Sequence, residues 1–302
     1  MKTKTGISPF LPDMFRQIAT EHPDFVLHAG DVISGEYTSD DAPIAGNFAG
    51  MYGNFMHAAS PVYNYSTHTG IPIYTVRGNH DNGNQYEGNA SLQAAYVSSV
   101  AQGLPDNGPE GEKTLTYSFV HKGIQFIGLD EYLYRQGKTG IPNMDWLSAT
   151  LNANESSSII VWGHSPAFAF GSGIDPYPMY LFTDDRDLFW QNLTDNHCLM
   201  YFCGHVHQYA RGEVDGTLQI LCGNGGGIGV GINPANADPR LQISYPTHAI
   251  SAKEQRIGYL LVTVDPIHQI IQGTEKQFNP VLRKWENIDS FTLENRKNFS
   301  LF

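Results

Sequence analysis

The sequence predicts an α/β fold in which two sheets pack face to face with helices outside. Three observations carry that prediction. Apolar strand-like runs alternate with helical runs as far as Cys203, the pattern of a mainly parallel sheet with helical crossovers. From Val206 onward strand follows strand, which implies a second, mainly antiparallel sheet. Four of the earlier strands end in a glycine followed at once by a ligand-type residue: Gly30-Asp31, Gly78-Asn79-His80-Asp81, Gly163-His164 and Gly204-His205-Val206-His207.

The elements follow in order. Residues 10–20 read as a helix, with Pro12 near its start and apolar spacing at Phe15, Ile18 and Ala19. Residues 24–29 are an apolar strand that delivers Gly30-Asp31. Residues 44–65 read as a helix with aromatics along one side, and 71–77 as the strand before Gly78. Residues 88–101 are the next helix, and 117–120 with 124–129 form a hairpin about Lys122-Gly123. Asn143 caps a helix that runs to Leu151. Residues 158–162 are a strand, 184–193 a helix opened by acidic residues, and 199–203 the strand before Gly204. Strands then follow at 206–213, 217–222, 258–264 and 269–274. Residues 40–46 and 223–245 read as long loops, the second passing just after the last ligand block. Residues 1–276 are expected to form one domain and 277–302 a polar C-terminal appendage.

Composition narrows the function. The chain has 302 residues, 41% hydrophobic, enough for a large core. Its formal net charge of -12 repels a phosphate backbone and argues against generic nucleic-acid binding. The same field opposes any phosphorylated substrate, so a site for one must carry its own positive charge. No apolar run approaches membrane-spanning length, and no signal peptide is visible after Met1. Cys198, Cys203 and Cys222 read as reduced core residues, with a Cys203–Cys222 bridge as the alternative. Five Asn-x-Ser/Thr triplets, at Asn64, Asn89, Asn154, Asn192 and Asn298, are a mild excess that permits export.

The four blocks together point to a metal centre. Asp31 offers a carboxylate able to bridge ions, Asn79 a neutral oxygen, and His164, His205 and His207 imidazole nitrogens. His205 and His207, two apart on an extended segment, point the same way and reach one ion or two neighbouring ions. Mixed oxygen and nitrogen donors suit Mn, Fe or Zn rather than Ca. Arg77 and Arg211 flank ligand blocks and read as salt-bridge partners, with phosphate contact as the alternative; His28 reads as structural.

These residues resemble the calcineurin-like metallophosphoesterase superfamily, from about Asp24 to about Cys222. The resemblance implies a four-layer α/β/β/α sandwich of two mixed sheets and a centre of two metal ions. It implies that Asp31 bridges the ions, that Asn79, His164 and His205 complete one shell, and that His207 binds the other ion. His80 would be the catalytic histidine and Asp81 the group that orients its ring. The implied chemistry is hydrolysis of a phosphate monoester or diester by a metal-activated water, with His80 donating a proton to the departing alkoxide. Ser34 stands where purple acid phosphatases carry a tyrosine ligand, so no purple charge-transfer centre is implied.

The family also opens with a strand ending in Asp-x-His, and residues 1–23 contain no such motif. Two readings stand. In one the sequence begins downstream of that strand and of a signal peptide, and the protein is exported. In the other the protein lacks the strand, is cytoplasmic and holds its second ion poorly; the exposed sheet position then needs a covering element. The second reading leads to a mononuclear hydrolase or a degenerate module that binds phosphorylated ligands without turnover.

Overall fold

The computed structural model describes residues 4–37, 44–83, 88–133, 139–154, 158–172, 178–254, 256–265 and 270–294. Most of the 40–46 loop, residues 173–177 and the chain beyond residue 294, with Asn298, lie outside the described residues. In chain order the elements are α1 (Leu11–Thr20), β1 (Val26–His28), α2 (Phe48–Ala58), β2 (Tyr63–Asn64), β3 (Thr69–Gly70), β4 (Ile73–Thr75), α3 (Asn79–Asn82) and α4 (Ala90–Val97). There follow β5 (Tyr117–His121), β6 (Ile124–Gly128), α5 (Met144–Asn152), β7 (Ser158–Trp162), α6 (Pro178–Leu181), α7 (Thr183–Asp195), β8 (Met200–Cys203), β9 (Tyr209–Val214) and β10 (Thr217–Cys222). The chain closes with β11 (Gln242–Tyr245), β12 (Gly258–Asp265), β13 (Ile270–Asn279) and β14 (Lys284–Glu294).

A seven-stranded mixed sheet runs in the order β11-β9-β10-β8-β7-β6-β5. Its centre, β6 through β8 and β10, is parallel, and its outer pairs are antiparallel. β6 and β7 are buried at every residue, as strands covered on both faces must be. On one face Ile159, Val161 and Tyr201 pack against Leu147 and Leu151 of α5 and Phe189 and Trp190 of α7. On the other, Phe126, Ile160, Trp162 and Phe202 meet Val76 after β4, Ile271 of β13, and Leu260 and Val262 of β12. A third cluster gathers Leu11, Met14, Phe15 and Ile18 of α1 with Tyr52 and Phe55 of α2 and Tyr96 of α4. The α1 residues recur at helical spacing, so one stripe of that helix is apolar.

The fold is mixed α/β as the sequence predicts, but the strands expected at 206–213 and 217–222 in a second sheet lie in the large one as β9 and β10, because β10 pairs with β8, and the remaining strands are not one continuous sheet among the described residues. β1 pairs in parallel with β4, and β12, β13 and β14 form a separate antiparallel sheet. The two stand apart among the described residues. The boundary expected after residue 276 falls inside β13, whose whole length pairs with β14. Arg211 and Tyr209 of β9 both bind Asp289 of β14, tying that strand to the large sheet. The helix expected over 44–65 is confined to Phe48–Ala58: Asn47 caps its start by accepting from the Gly50 N–H at 2.9 Å, and Pro61 cannot continue it. Tyr63 and Asn64 then turn into the β2–β3 hairpin. Asn143 caps α5 as expected, accepting from the Trp146 N–H at 3.1 Å. The three cysteines are free thiols.

One buried acid sets a pH response. Glu275 on β13 is fully buried; its Oε1 accepts from Asn224 Nδ2 at 2.7 Å, while Oε2 has no partner. Burial pushes its pKa up to about 8. The folded protein therefore binds one proton more than the unfolded chain between the ordinary glutamate value and pH 8, so stability falls as pH rises through that window. Glu275→Gln is expected to stabilise the protein at pH 9 by on the order of 2–3 kcal/mol and to flatten the pH 5–8 slope. Urea unfolding at pH 5 and pH 9 measures both; an unchanged slope would rule Glu275 out as its source.

Candidate metal centre

Each ligand block sits just beyond the C-terminal end of a strand in or beside the parallel arrays. That is where the crevice of an α/β sheet opens. β1 and β4 run parallel in register, Val26 opposite Ile73 and His28 opposite Thr75, so Asp31 and Asn79 emerge side by side. β7 and β8 are likewise parallel neighbours, which brings His164 beside His205. The glycines are steric requirements. Gly30 has φ +85°, and a Cβ there would lie 2.6 Å from His164 Nδ1. A Cβ on Gly78 would lie 2.1 Å from Asp31 Oδ1.

The donors converge. One ligand atom from each of Asp31, His164 and His205 lies within 4.8 Å of the other two. Asn79 Oδ1 is 3.2 Å from His164 Nε2 and 3.0 Å from His205 Nδ1, and Asp31 Oδ2 is 3.4 Å from His164 Nε2. A cation with ligands at about 2.0–2.2 Å needs neighbouring donors roughly 3.0–3.6 Å apart, so these four residues fit one ion. Asp31 Oδ1 also accepts from the His80 backbone N–H at 2.9 Å.

The surroundings prepare the donors. His164 Nδ1 donates to the Ala29 carbonyl at 2.6 Å, which turns Nε2 toward Asn79 and Asp31. Burial works against a charged Asp31, but the imidazoles of His164 and His80 outweigh it and hold the carboxylate well below its usual range. Burial likewise opposes a charged His164, yet Asp31 lifts its pKa to about 9. His205 is pushed down to about 3, by burial first and by His164 next, and stays a neutral ligand.

Two expectations change. The 204–208 segment is not extended. Val206 N–H bonds to Gly204 O at 2.7 Å and Gln208 N–H to Val206 O at 2.6 Å, two successive tight turns, and His205 has φ +65°. Strand alternation therefore does not govern the pair: His205 joins the cluster, while His207 Nδ1 donates to the Ile228 carbonyl at 2.9 Å, outside it. Asp81 does not face the His80 ring. Its carboxylate accepts from the N–H groups of Val32 and Gly78 and from the Tyr52 hydroxyl, at 3.1, 3.0 and 2.9 Å, and so clamps the first two ligand loops together. The Ser34 carbonyl lies against the His80 ring, 3.0 Å from Nδ1.

Sequence reasoning missed Glu131. Its two oxygens accept from the backbone N–H groups of His164 and Ser165 at 3.1 and 2.8 Å, and Oε1 also takes the Tyr201 hydroxyl at 2.7 Å. It pins the third ligand loop from behind, fully buried. The available signal was the acidic pair Asp130-Glu131 just past a wholly apolar strand end. Arg77, 1% exposed, pairs with buried Asp130, and Arg211 with Asp289, so both arginines are structural partners.

The family model described as calcineurin-like phosphoesterase matches residues 5–209. Among solved structures, the chain is similar to a purple acid phosphatase from yellow lupin (Lupinus luteus) seeds at 17% identity and TM-score 0.67, covering 95% of this chain and 49% of that one. It is similar to PhoD at 16% identity and TM-score 0.66, covering 98% and 68%. It is also similar to GAP50, the anchor in the inner membrane complex of Plasmodium, at 18% identity and TM-score 0.60, covering 97% and 85%. At these identities the likeness is one of fold, and the chain spans about half the length of the lupin enzyme. No curated protein matches the sequence. No described helix is long and apolar enough to cross a membrane.

Proposed function

The chain belongs to the calcineurin-like phosphoesterase family, and from that premise we propose that it hydrolyses phosphate monoesters or diesters at the centre formed by Asp31, Asn79, His164 and His205. The observation that carries this reading is the convergence of those four donors from four separate strand ends at cation-ligand spacing. Mn, Fe or Zn suits the donor set. Ions of this kind, when bound, lower the pKa of water and neutralise phosphoryl oxygens, which offsets the chain's net charge of -12 toward an anionic substrate.

The protein's own groups supply position and a proton. Asp31, Asn79, His164 and His205 would hold one cation, and His207, which lines the same cavity, would be a ligand for a second. The Ser34 carbonyl fixes the His80 ring through Nδ1, which leaves Nε2 3.8 Å from Asp31 Oδ2. There Nε2 can hold a proton for the departing alkoxide oxygen. His80→Ala is expected to lower kcat on p-nitrophenyl phosphate or its bis ester, with Mn²⁺ added, about 10²–10³-fold at unchanged metal content. Absence of turnover by the unaltered chain across a panel of divalent ions would count against the reading.

One observation favours a narrower version. His207 stands outside the compact donor set, which is that of a single ion, while its Nδ1 bond to the Ile228 carbonyl leaves Nε2 open toward a second. Metal analysis near one ion per chain with turnover would support a mononuclear hydrolase. The same stoichiometry without turnover would point to a binding module.

A further inference from the structure

The two tight turns that carry His205 and His207 lean on a second segment, residues 223–230. Gly223 N–H donates to the Gln208 carbonyl at 2.8 Å, the Gln208 side-chain amide donates to the Val230 carbonyl, and Val230 N–H donates to the His207 carbonyl at 3.4 Å. The Ile228 carbonyl takes His207 Nδ1 at 2.9 Å. Gly227 lies against the same ring: a Cβ there would stand 2.6 Å from its Cγ and Nδ1. The place of this segment therefore sets both the tautomer and the tilt of His207.

Asn224, buried, ties the segment to the small antiparallel sheet. Its carbonyl accepts from the Gly258 N–H of β12 at 3.0 Å, and its Nδ2 donates to Glu275 Oε1 of β13 at 2.7 Å. The backbone makes room for that pair: a Cβ on Gly258 would lie 2.6 Å from both Asn224 Nδ2 and Glu275 Oε1. Two atoms of the pair, Asn224 Oδ1 and Glu275 Oε2, are buried without a hydrogen-bond partner among the described residues. With Glu275 ionised both are acceptors and neither satisfies the other. A proton on Oε2 is the donor that Oδ1 lacks, and it turns one hydrogen bond between acid and amide into two. Gln277 Nε2 approaches Oε1 at 3.4 Å. Asp289 of β14, Cys222 of β10, Tyr209 of β9, Tyr245 of β11 and Tyr259 of β12 face the carboxyl. None of these is a cation, and Lys276, Arg256 and Arg211 on adjoining segments pair with Glu21, Glu286 and Asp289.

We propose that Asn224 and Glu275 are positioning residues for His207: the protonated Glu275 carboxyl and the Asn224 amide hold residues 223–230 in place, and release of that proton loosens the segment and with it the His207 ring. Neither residue touches a metal donor; both act through the Ile228 carbonyl and Gly227. Burial pushes the Glu275 pKa up to about 8. The tie is therefore closed at neutral pH and opens as pH rises through that value. The inference rests on the proposed function only in treating His207 as a metal ligand; the tie itself is read on protein without metal.

The test follows residues 223–230 by hydrogen exchange and the His207 imidazole by nitrogen NMR, on the whole metal-free chain at pH values either side of 8. Exchange rates are corrected for the intrinsic pH dependence of amide exchange, and the His207 signal is the one missing from His207→Gln. In the unaltered chain exchange over 223–230 is expected to quicken at least about tenfold above pH 8, while the Nδ1–H tautomer of His207 gives way to a mixture. Glu275→Gln keeps both bonds, because its amide donates to Asn224 Oδ1 and accepts from Nδ2; it is expected to stay protected, with one tautomer, at every pH. Glu275→Leu removes both bonds without adding a charge and is expected to be loose at every pH. The amides of β7 report folding. Should Glu275→Leu lose them, Asn224→Ala is read in its place with the same result expected. Calorimetric titration with Mn²⁺ reads the metal: the second equivalent is expected to bind at least about tenfold more weakly to the loose variant than to Glu275→Gln, and the first equally. An unaltered chain that stays tight across pH 8, exchange over 223–230 equal in the Gln and Leu variants, or equal affinity of the two for a second equivalent would overturn the proposal. The expected protection pattern in a chain that turns over no phosphoester would support it and count against the proposed hydrolysis instead.

Discussion

Asp31→Asn is expected to leave the fold intact, weaken cation binding by at least about 10²-fold and lower turnover about 10⁴-fold, or roughly 5.5 kcal/mol of transition-state stabilisation. The substitution isolates charge from shape. Asp31 has φ +53°, a left-handed conformation that asparagine tolerates better than other residues with a side chain. The amide oxygen can still accept from the His80 N–H, so the loop keeps its tether. What disappears is the carboxylate, the single anionic donor in the described Asp31, His164 and His205 cluster. Neutral donors alone compensate a divalent charge poorly in a partly buried site, and the protein holds Asp31 ionised through its flanking imidazoles. Calorimetric titration with Mn²⁺ and kcat on p-nitrophenyl phosphate measure the two effects. Wild-type metal content together with wild-type turnover in the variant would remove Asp31 from the centre.

The parts of this site that are legible in the sequence are those written locally. An apolar run ending in Gly-Asp, Gly-Asn-His or Gly-His announces both a strand and a ligand, because the glycine is demanded by close approach at the strand end. Asp31, Asn79, His164 and His205 are found that way. What is illegible depends on contacts or dihedrals that composition does not encode. Glu131 reaches His164 from 33 positions away, and nothing in its own neighbourhood names that partner. The divergence of His205 from His207 comes from one left-handed residue that breaks strand alternation. Asp81 beside His80 in sequence is not beside its ring in space, because one helical turn carries the two side chains to different sides. β14 escapes notice because it is an outer strand rich in polar residues; Trp285, Ile288, Phe291 and Leu293 pack inward, at a spacing that shows no period of two.

Asp130→Asn is expected to destabilise the protein by about 3–5 kcal/mol and to lower activity with it, although Asp130 touches no metal ligand. Arg77 and Asp130 are 1% and 0% exposed and pair through Arg77 Nε. Asp130 Oδ1 also accepts from the N–H groups of Tyr132 and Leu133 at 2.8 and 3.1 Å. Asparagine preserves that acceptor and removes only the charge, leaving the Arg77 guanidinium buried without a counterion. Such a charge costs far more than the intact pair contributes. The activity loss follows from place: Arg77 is the residue before Gly78-Asn79-His80, and Asp130 the residue before Glu131, so the pair ties one ligand-bearing loop to the loop whose Glu131 pins another. If the uncompensated charge is the cause, Arg77→Met added to Asp130→Asn removes it, and the double variant is expected to regain at least about 2 kcal/mol over Asp130→Asn alone. Urea unfolding of the two single variants and the double closes the cycle. A double variant as unstable as the sum of its parts would place the cost in lost packing and not in the stranded charge.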